Sequence, residues 1–291
     1  MKSQSEVISL TCPIFLVGTV KSSSTITAQC LGEHPNVIYP RLAHFELSPE
    51  WCELAEIDIA VPVTKKHTCP PLYASDATDK ICQKVREGFA KILLEEGGNK
   101  DSRFFNKSPH LWNKLSFVHQ IFPDANLIIT SRDVWSTVAS TKHLLIDVEK
   151  TFGIKHYLPP DPTQCWSCIF PTSPIETDPY RTFPGGDVSV LAEYWLRVYK
   201  TIEETANDFS LVFNIRHCDF TENPHAVLDE MFKALKLPKI EYSLPQKIDK
   251  SRNERWYDIL TEQDKKSLKA FIEENYNDIK LLKYADTTTS F

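Results

Sequence analysis

The chain has 291 residues, 42% of them hydrophobic, which is enough for a sizeable globular core, and a formal net charge of −6. The negative charge disfavours a broad nucleic-acid surface, and no run of about 18 apolar residues is present that would cross a membrane. The N-terminal residues also lack the basic and apolar regions of a signal peptide. We therefore expect one domain over 1–291 in the cytoplasm, with no nucleic-acid or membrane partner and with reduced cysteines.

Strand and helix patterns alternate from the start of the chain. PIFLV at 13–17 predicts a buried strand, STITAQCL at 24–31 a helix, and NVIY at 36–39 a second strand. A longer helix is predicted at 77–98, because its apolar residues recur on one helical face before two glycines.

The alternation continues further along the chain. Strand patterns, each followed by a helical pattern, occur at 103–107 and 110–122, at 126–131 and 132–148, and at 211–217 and 223–236. This order predicts a three-layer α/β fold, in which helices flank a central, mostly parallel sheet of about four to five strands.

One segment interrupts the alternation. Residues 155–186 are rich in proline and aromatic residues, which predicts an irregular insert or lid at about 150–188. The segment contains CWSC, formed by Cys165 and Cys168, a spacing that also occurs in zinc sites. Because no second CxxC or HxxxH motif lies nearby in the sequence to complete such a site, we expect no metal.

The loop after the first strand has the composition of an anion site. It places Lys21 and the hydroxyls of Ser22, Ser23, Ser24 and Thr25 between a strand and a helix N-terminus. Backbone N–H groups and the helix dipole converge at such a point. The loop differs from the Walker pattern, in which the lysine follows a second glycine.

A second motif follows the strand at 126–131. Arg132 comes directly after that strand, and Ser140 lies eight positions further on, in the next helix. Arginine is suited to bidentate phosphate contacts. Because the carboxyl ends of parallel strands meet at one sheet edge, we expect Lys21, Arg132 and Ser140 to lie close together.

In their order and spacing these motifs resemble the sulfotransferases that use 3′-phosphoadenosine 5′-phosphosulfate (PAPS). In that family the first loop runs like GTPRSGTT, and the second motif carries an arginine and a serine at the same spacing. The resemblance extends to KSPHLWNKLSFVHQIFPDANLIITSRD, to HCDFTENPHAVLDEMFKALKLP and to the closing KSRNERWYDILT. It implies a P-loop-like phosphosulfate-binding loop and in-line transfer of a sulfuryl group from PAPS to a hydroxyl or amine of a small organic metabolite, without a metal.

The resemblance also implies roles for individual residues. At the 5′-phosphate it places Lys21, Ser22, Ser23, Ser24 and Thr25, with Lys21 also stabilising the charge that develops as the bond to sulfur breaks. At the 3′-phosphate it places Arg132, Ser140 and, from a basic segment before Trp256, Lys250, Arg252 and Arg255. His217 is expected near the adenine, and Lys107 near the sulfonate or the acceptor.

Val20 and Lys21 replace the family's proline and arginine, and two further departures bear on the chemistry. Ser23 replaces a loop glycine, and if the backbone there needs a positive φ, serine costs about 1–2 kcal/mol of strain. Leu42 stands where the heparan-type branch of the family has its glutamate base. We therefore predict His44, which also faces the acceptor, as the general base, because a histidine titrates near neutral pH. The alternatives are Glu46 and, less favoured, His119 or His67.

The sequence leaves two other functions open. The departures at Ser23 and Leu42 would also suit a degenerate sulfotransferase-like protein that binds nucleotide without turnover. A P-loop kinase acting on a small molecule is less favoured, because a GK[ST] loop is missing from the sequence. The identity of the acceptor, transfer to oxygen or to nitrogen, and the oligomeric state are not determined by the sequence.

Overall fold

The computed structural model describes residues 10–40, 51, 53–54, 69–244, 248, 250 and 255–287. The strands in this part of the chain are β1 (Ile14–Gly18), β2 (Val37–Ile38), β3 (Arg103–Lys107), β4 (Asn126–Ser131), β5 (Lys155–Tyr157), β6 (Ser167–Ile169), β7 (Thr182–Phe183) and β8 (Leu211–Arg216). Five of them form a parallel sheet in the order β2–β3–β1–β4–β8. The predicted α/β class, with a mostly parallel central sheet, is confirmed.

Helices connect the strands and flank the sheet. They are α1 (Ser24–Gly32), α2 (Asp79–Glu95), α3 (Leu115–Ile121), α4 (Val134–Phe152), α5 (Val188–Thr205), α6 (His217–Glu222), α7 (Pro224–Ala234), α8 (Trp256–Ile259), α9 (Glu262–Glu274) and α10 (Tyr276–Leu281). A 3₁₀ helix, Pro109–Lys114, follows directly on β3. Among the helices in the described ranges, none combines the length and apolar character that a membrane span requires.

The sheet is buried on both faces. In β1 the side chains of Phe15 and Val17 join one hydrophobic cluster, whereas those of Ile14 and Leu16 join a second cluster on the opposite face. A parallel strand covered on both sides is apolar throughout, which is why IFLV reads as a continuous hydrophobic run. The polar groups of the site therefore lie beyond the strand ends.

Helix α5 was not predicted from the sequence. Asp187 caps its N-terminus by accepting a hydrogen bond from the backbone N–H of Ser189 at 2.7 Å. This cap stabilises the start of the helix directly after the proline-rich segment. Trp195, Tyr199 and Ile202 on its inner face are fully buried. Their spacing of four and then three residues places them on one helical face. This is the pattern of an amphipathic helix, and it becomes visible in the sequence over a window of two or more turns.

The proline-rich segment has more order than an irregular insert. Strands β5, β6 and β7 form a small antiparallel sheet in the order β6–β5–β7. Trp166 is buried and stacks on Tyr194 of α5, with ring centroids 4.8 Å apart. Arg197 of α5 donates to the carbonyl groups of Pro159 and Asp161, each at 2.8 Å. Its action as a lid stays a prediction.

The expectation of reduced thiols is wrong for one pair of cysteines. Cys69 and Cys165 form a disulfide in this structure, with their Cα atoms 5.5 Å apart. The two residues are separated by 96 positions in the sequence, and only the fold brings them together. The bond connects the proline-rich segment to the chain that precedes α2.

Candidate active site

The loop between β1 and α1 is held tightly against β4. Gly18 has a φ of 148°, and a Cβ atom at this position would lie 2.3 Å from the carbonyl oxygen of Thr130, so only glycine fits. The Ser22 hydroxyl donates to the carbonyl of Thr19 at 2.6 Å and lies 2.8 Å from the hydroxyl oxygen of Thr130. Ser22 is buried and braces the loop from within, and its contact with a phosphate stays a prediction.

The top of the loop adopts left-handed backbone conformations. Lys21 has a φ of 66° and Ser23 a φ of 75°. Ser23 is the residue before α1, and its hydroxyl forms a short hydrogen bond with Nδ1 of His217. The side chain of His217 is thus directed at the loop, and its predicted contact with adenine stays untested. Ser24 is buried, whereas Lys21 and Thr25 are exposed above the N-terminus of α1.

The backbone at Ser23 makes a testable prediction about stability. Ser23→Ala keeps the backbone strain that a Cβ atom causes in the left-handed conformation, and it removes the hydrogen bond to His217. We therefore expect a loss of about 1 kcal/mol in the free energy of unfolding. Ser23→Gly loses the same hydrogen bond but removes the strain, and should lie within about 0.5 kcal/mol of the wild type. Urea denaturation measures both. An alanine variant as stable as the glycine variant would contradict the role of the backbone conformation.

Arg132 connects the two predicted anion motifs. Its Nη1 atom donates to the backbone carbonyl of Lys21 at 3.3 Å and to the hydroxyl of Ser140 at 3.2 Å. Arg132 is only 7% exposed, and its backbone carbonyl accepts a hydrogen bond from the indole N–H of Trp195 at 2.9 Å. The structure therefore brings Lys21, Arg132 and Ser140 to one sheet edge, the arrangement expected from their positions after β1 and β4.

A buried tyrosine braces the same edge from α5. The Tyr199 hydroxyl donates to the carbonyl of Thr130 at 3.0 Å and lies 3.4 Å from the hydroxyl of Thr19. Burial raises the pKa of Tyr199 well above its usual range, so the hydroxyl stays protonated. Sequence reasoning missed Tyr199 because its partners lie far away along the chain.

Asp133 is occupied as a helix cap. Its carboxylate accepts a hydrogen bond from the backbone N–H of Ser136 at 2.8 Å, at the N-terminus of α4. Burial raises the pKa of Asp133 above its ordinary value. Helix capping alone accounts for a carboxylate at this position, so Asp133 gives no support to the kinase alternative, which needs an acidic magnesium ligand at a strand end.

Three further predicted cations belong to the described part of the chain. Lys107 ends β3 next to β1 and is buried, whereas Lys250 and Arg255 are exposed. Arg255 directly precedes Trp256, whose ring stacks on Trp135 with the centroids 4.8 Å apart. Since Trp135 lies in the first turn of α4, three residues after Arg132, this stack holds the start of α8 beside the Arg132 region.

The predicted general bases fall mainly outside the described residues. The structure does not describe the candidate bases His44, Glu46 and His67. The predicted phosphate-binding residue Arg252 also lies outside the described residues. His119 is described, and its ring packs on Phe209, with centroids 5.2 Å apart, just before the amino end of β8. That is the sheet edge opposite to the Lys21 loop, so the structure argues against His119 as the base.

The site thus offers two adjacent places for negative charge. One is the N-terminus of α1 with the Lys21 ammonium, and the other is the Arg132 guanidinium with the Ser140 hydroxyl. They are connected through the backbone carbonyl of Lys21. Such a pair of subsites suits a ligand with two separate anionic groups.

Comparisons with known proteins agree with this geometry. A family model described as "Sulfotransferase family" matches residues 13–157, the stretch that contains Lys21, Lys107, Arg132 and Ser140. No curated protein matches the chain.

Solved structures share the fold at low sequence identity. A sulfotransferase from Alicyclobacillus acidocaldarius has a TM-score of 0.55 and 16% identity over 96% of this chain and 98% of its own. A sulfotransferase domain from the curacin biosynthetic pathway has a TM-score of 0.52 and 14% identity, with 92% and 98% covered. The sulfotransferase domain of the Synechococcus PCC 7002 olefin synthase has a TM-score of 0.50 and 15% identity, with 90% and 95% covered.

These neighbours define the fold as that of the sulfotransferases. Together with the family match over residues 13–157, they show that the chain belongs to the sulfotransferase family.

Proposed function

We propose that this protein transfers a sulfuryl group from PAPS to a hydroxyl or amine of a small organic molecule. The observation that carries the proposal is the position of the Arg132 guanidinium, which contacts both the Lys21 carbonyl and the Ser140 hydroxyl. Two anion subsites at one sheet edge fit a nucleotide that carries a phosphosulfate at one end and a 3′-phosphate at the other. The net charge of −6 argues against a long sulfated polysaccharide as acceptor.

The residues present fit this donor. The left-handed backbone at Lys21 and Ser23 turns the chain at the N-terminus of α1, and the exposed Lys21 side chain extends from this turn. When bound, PAPS supplies a sulfuryl group whose transfer leaves negative charge on a phosphate oxygen. Lys21 would stabilise that charge, while Arg132 and Ser140 would fix the other end of the nucleotide. Positioning and charge stabilisation are the main requirements of such a transfer.

An activity screen tests the proposal. The purified protein is incubated with PAPS and a panel of alcohols, phenols and amines, and mass spectrometry detects an added sulfuryl group. Product formation without magnesium supports the proposal. Binding of adenosine 3′,5′-bisphosphate without any product would favour the degenerate, non-catalytic alternative. Magnesium-dependent phosphoryl transfer from ATP would favour a kinase.

The identity of the general base is tested by a pH profile. A histidine base must be neutral to accept a proton, so activity should rise with pH through the pKa of His44 and then level off. His44→Ala should abolish that rise while leaving nucleotide affinity nearly unchanged, because His44 is predicted to face the acceptor. Glu46→Gln is the matched comparison. Loss of turnover in Glu46→Gln alone would assign the base to the carboxylate.

A further inference from the structure

Three potential metal ligands converge from distant parts of the chain. Cys69 precedes α2, His110 lies in the 3₁₀ helix after β3, and Cys165 lies between β5 and β6. One ligand atom from each of the three lies within 4.8 Å of the others. Their side chains are at most 8% exposed. Two sulfurs and an imidazole nitrogen at this spacing form a donor set suited to zinc.

Two buried histidines give an independent indication of a missing ligand. In the part of the chain that the structure describes, Nδ1 of His110 and Nδ1 of His156 are buried and have no hydrogen-bond partner. An unsatisfied buried polar atom is costly and uncommon. An imidazole nitrogen without a hydrogen-bond partner can coordinate a metal instead.

The second cysteine of CWSC lies opposite His156 in the small antiparallel sheet. In the antiparallel pair β5–β6, His156 is directly opposite Cys168, so their side chains share one face of the small sheet. Cys168 is buried, three residues from Cys165. A C-x₂-C pair on a hairpin with further ligands from elsewhere is a frequent arrangement in structural zinc sites.

We propose that Cys69, His110 and Cys165 bind a structural zinc ion in the reduced protein, with His156 or Cys168 as the fourth ligand. The proposal does not depend on the sulfotransferase activity, because none of these residues is assigned to donor binding or to proton transfer. It assigns the metal a structural role: the ion would connect the proline-rich segment to the chain before α2 and to the 3₁₀ helix that follows Lys107.

The disulfide between Cys69 and Cys165 is the oxidised alternative to this site. Two equivalents of a thiol reductant convert it to two cysteine thiols and one molecule of oxidised reductant. Zn²⁺ then replaces the two thiol protons, which are released to solvent. Lys114 is buried with its Nζ atom 3.1 Å from Sγ of Cys69. Its N–H would donate to the thiolate.

Metal analysis of the full chain tests the proposal. Protein purified under a thiol reductant should contain about one zinc per chain by mass spectrometry of the metal, and the content should fall at least about tenfold in Cys165→Ser and in His110→Ala. Cys82→Ser is the matched control, since Cys82 lies on α2 outside the group, and it should keep its zinc. Comparing His156→Ala with Cys168→Ser identifies the fourth ligand.

A second measurement uses the wild-type protein, so that the test does not depend on whether the variants fold. Cobalt(II) added to the reduced, metal-free wild-type protein should give intense tetrahedral absorption with thiolate-to-metal charge transfer, and the bands should disappear after oxidation to the disulfide. A reduced wild-type chain that binds neither zinc nor cobalt would overturn the proposal. Zinc retained in His110→Ala would also overturn it, because the assigned ligand set would be incorrect.

Discussion

Replacing Lys21 with alanine is expected to lower kcat by about a hundredfold or more, and to weaken nucleotide binding by less. A preorganised positive charge at a developing negative charge contributes on this scale to catalysis. The Lys21 side chain is exposed at the turn before α1, while its carbonyl accepts from Arg132. Because that contact uses the backbone, the alanine variant keeps it, and the effect reports on the ammonium group. Steady-state kinetics and calorimetry with adenosine 3′,5′-bisphosphate separate kcat from binding.

Two variants control this experiment. Lys21→Arg keeps the charge and should retain much more activity than Lys21→Ala. Lys91→Ala removes the same charge from a lysine whose side chain is 75% exposed on α2, and should leave kcat unchanged. Turnover near the wild-type level in Lys21→Ala would show that the loop does not stabilise the leaving group.

Replacing Arg132 with alanine is expected to remove the preference for a 3′-phosphate. The wild-type protein should bind adenosine 3′,5′-bisphosphate much more tightly than adenosine 5′-phosphate, because we propose that Arg132 and Ser140, which are hydrogen-bonded to each other, hold the 3′-phosphate. A hydrogen bond to a charged group contributes about 1.5–3 kcal/mol, so the affinity difference should fall by at least about tenfold. Calorimetry with both nucleotides measures it. Equal affinities in the wild type would contradict the assignment.

A companion variant separates this effect from damage to the fold. Arg132 is buried and also contacts the Lys21 carbonyl, so the alanine variant can lower stability as well as affinity. Ser140→Ala removes a smaller, partly buried partner of the same subsite. It should reduce the 3′-phosphate preference in the same direction by a smaller factor, while binding of adenosine 5′-phosphate stays nearly constant. An unchanged preference in both variants would place the 3′-phosphate elsewhere.

The sequence determined the strands that flank the loop between β1 and α1. The predicted strands at 13–17, 103–107, 126–131 and 211–217 agree with β1, β3, β4 and β8 to within a residue or two at their ends. Strands buried on both faces are continuous apolar runs, and polar residues follow where each strand leaves the core. Lys21 lies in the turn that follows β1, and Arg132 comes directly after β4. These positions are sufficient to predict that both residues lie at one sheet edge.

The sequence also determined much of the local chemistry. A serine in place of glycine at position 23 predicted a cost if the backbone were left-handed there, and its φ of 75° meets that condition. What the local pattern did not contain was the partner of that serine, His217, which is 194 positions away. The general base stays a prediction, because His44 and Glu46 lie outside the described residues.

Only the tertiary structure decided the contacts that join distant segments. Tyr199 reaches Thr130 from a helix that was not predicted, and Cys69 meets His110 and Cys165 from three separate parts of the chain. In the sequence CWSC has no further metal ligands nearby. Motif spacing detects only neighbours along the chain, so it could not predict the group with Cys69 and His110. Local periodicity is set by backbone geometry and is therefore visible in sequence, whereas side chains from separate elements meet only when the sheet order and helix packing are fixed.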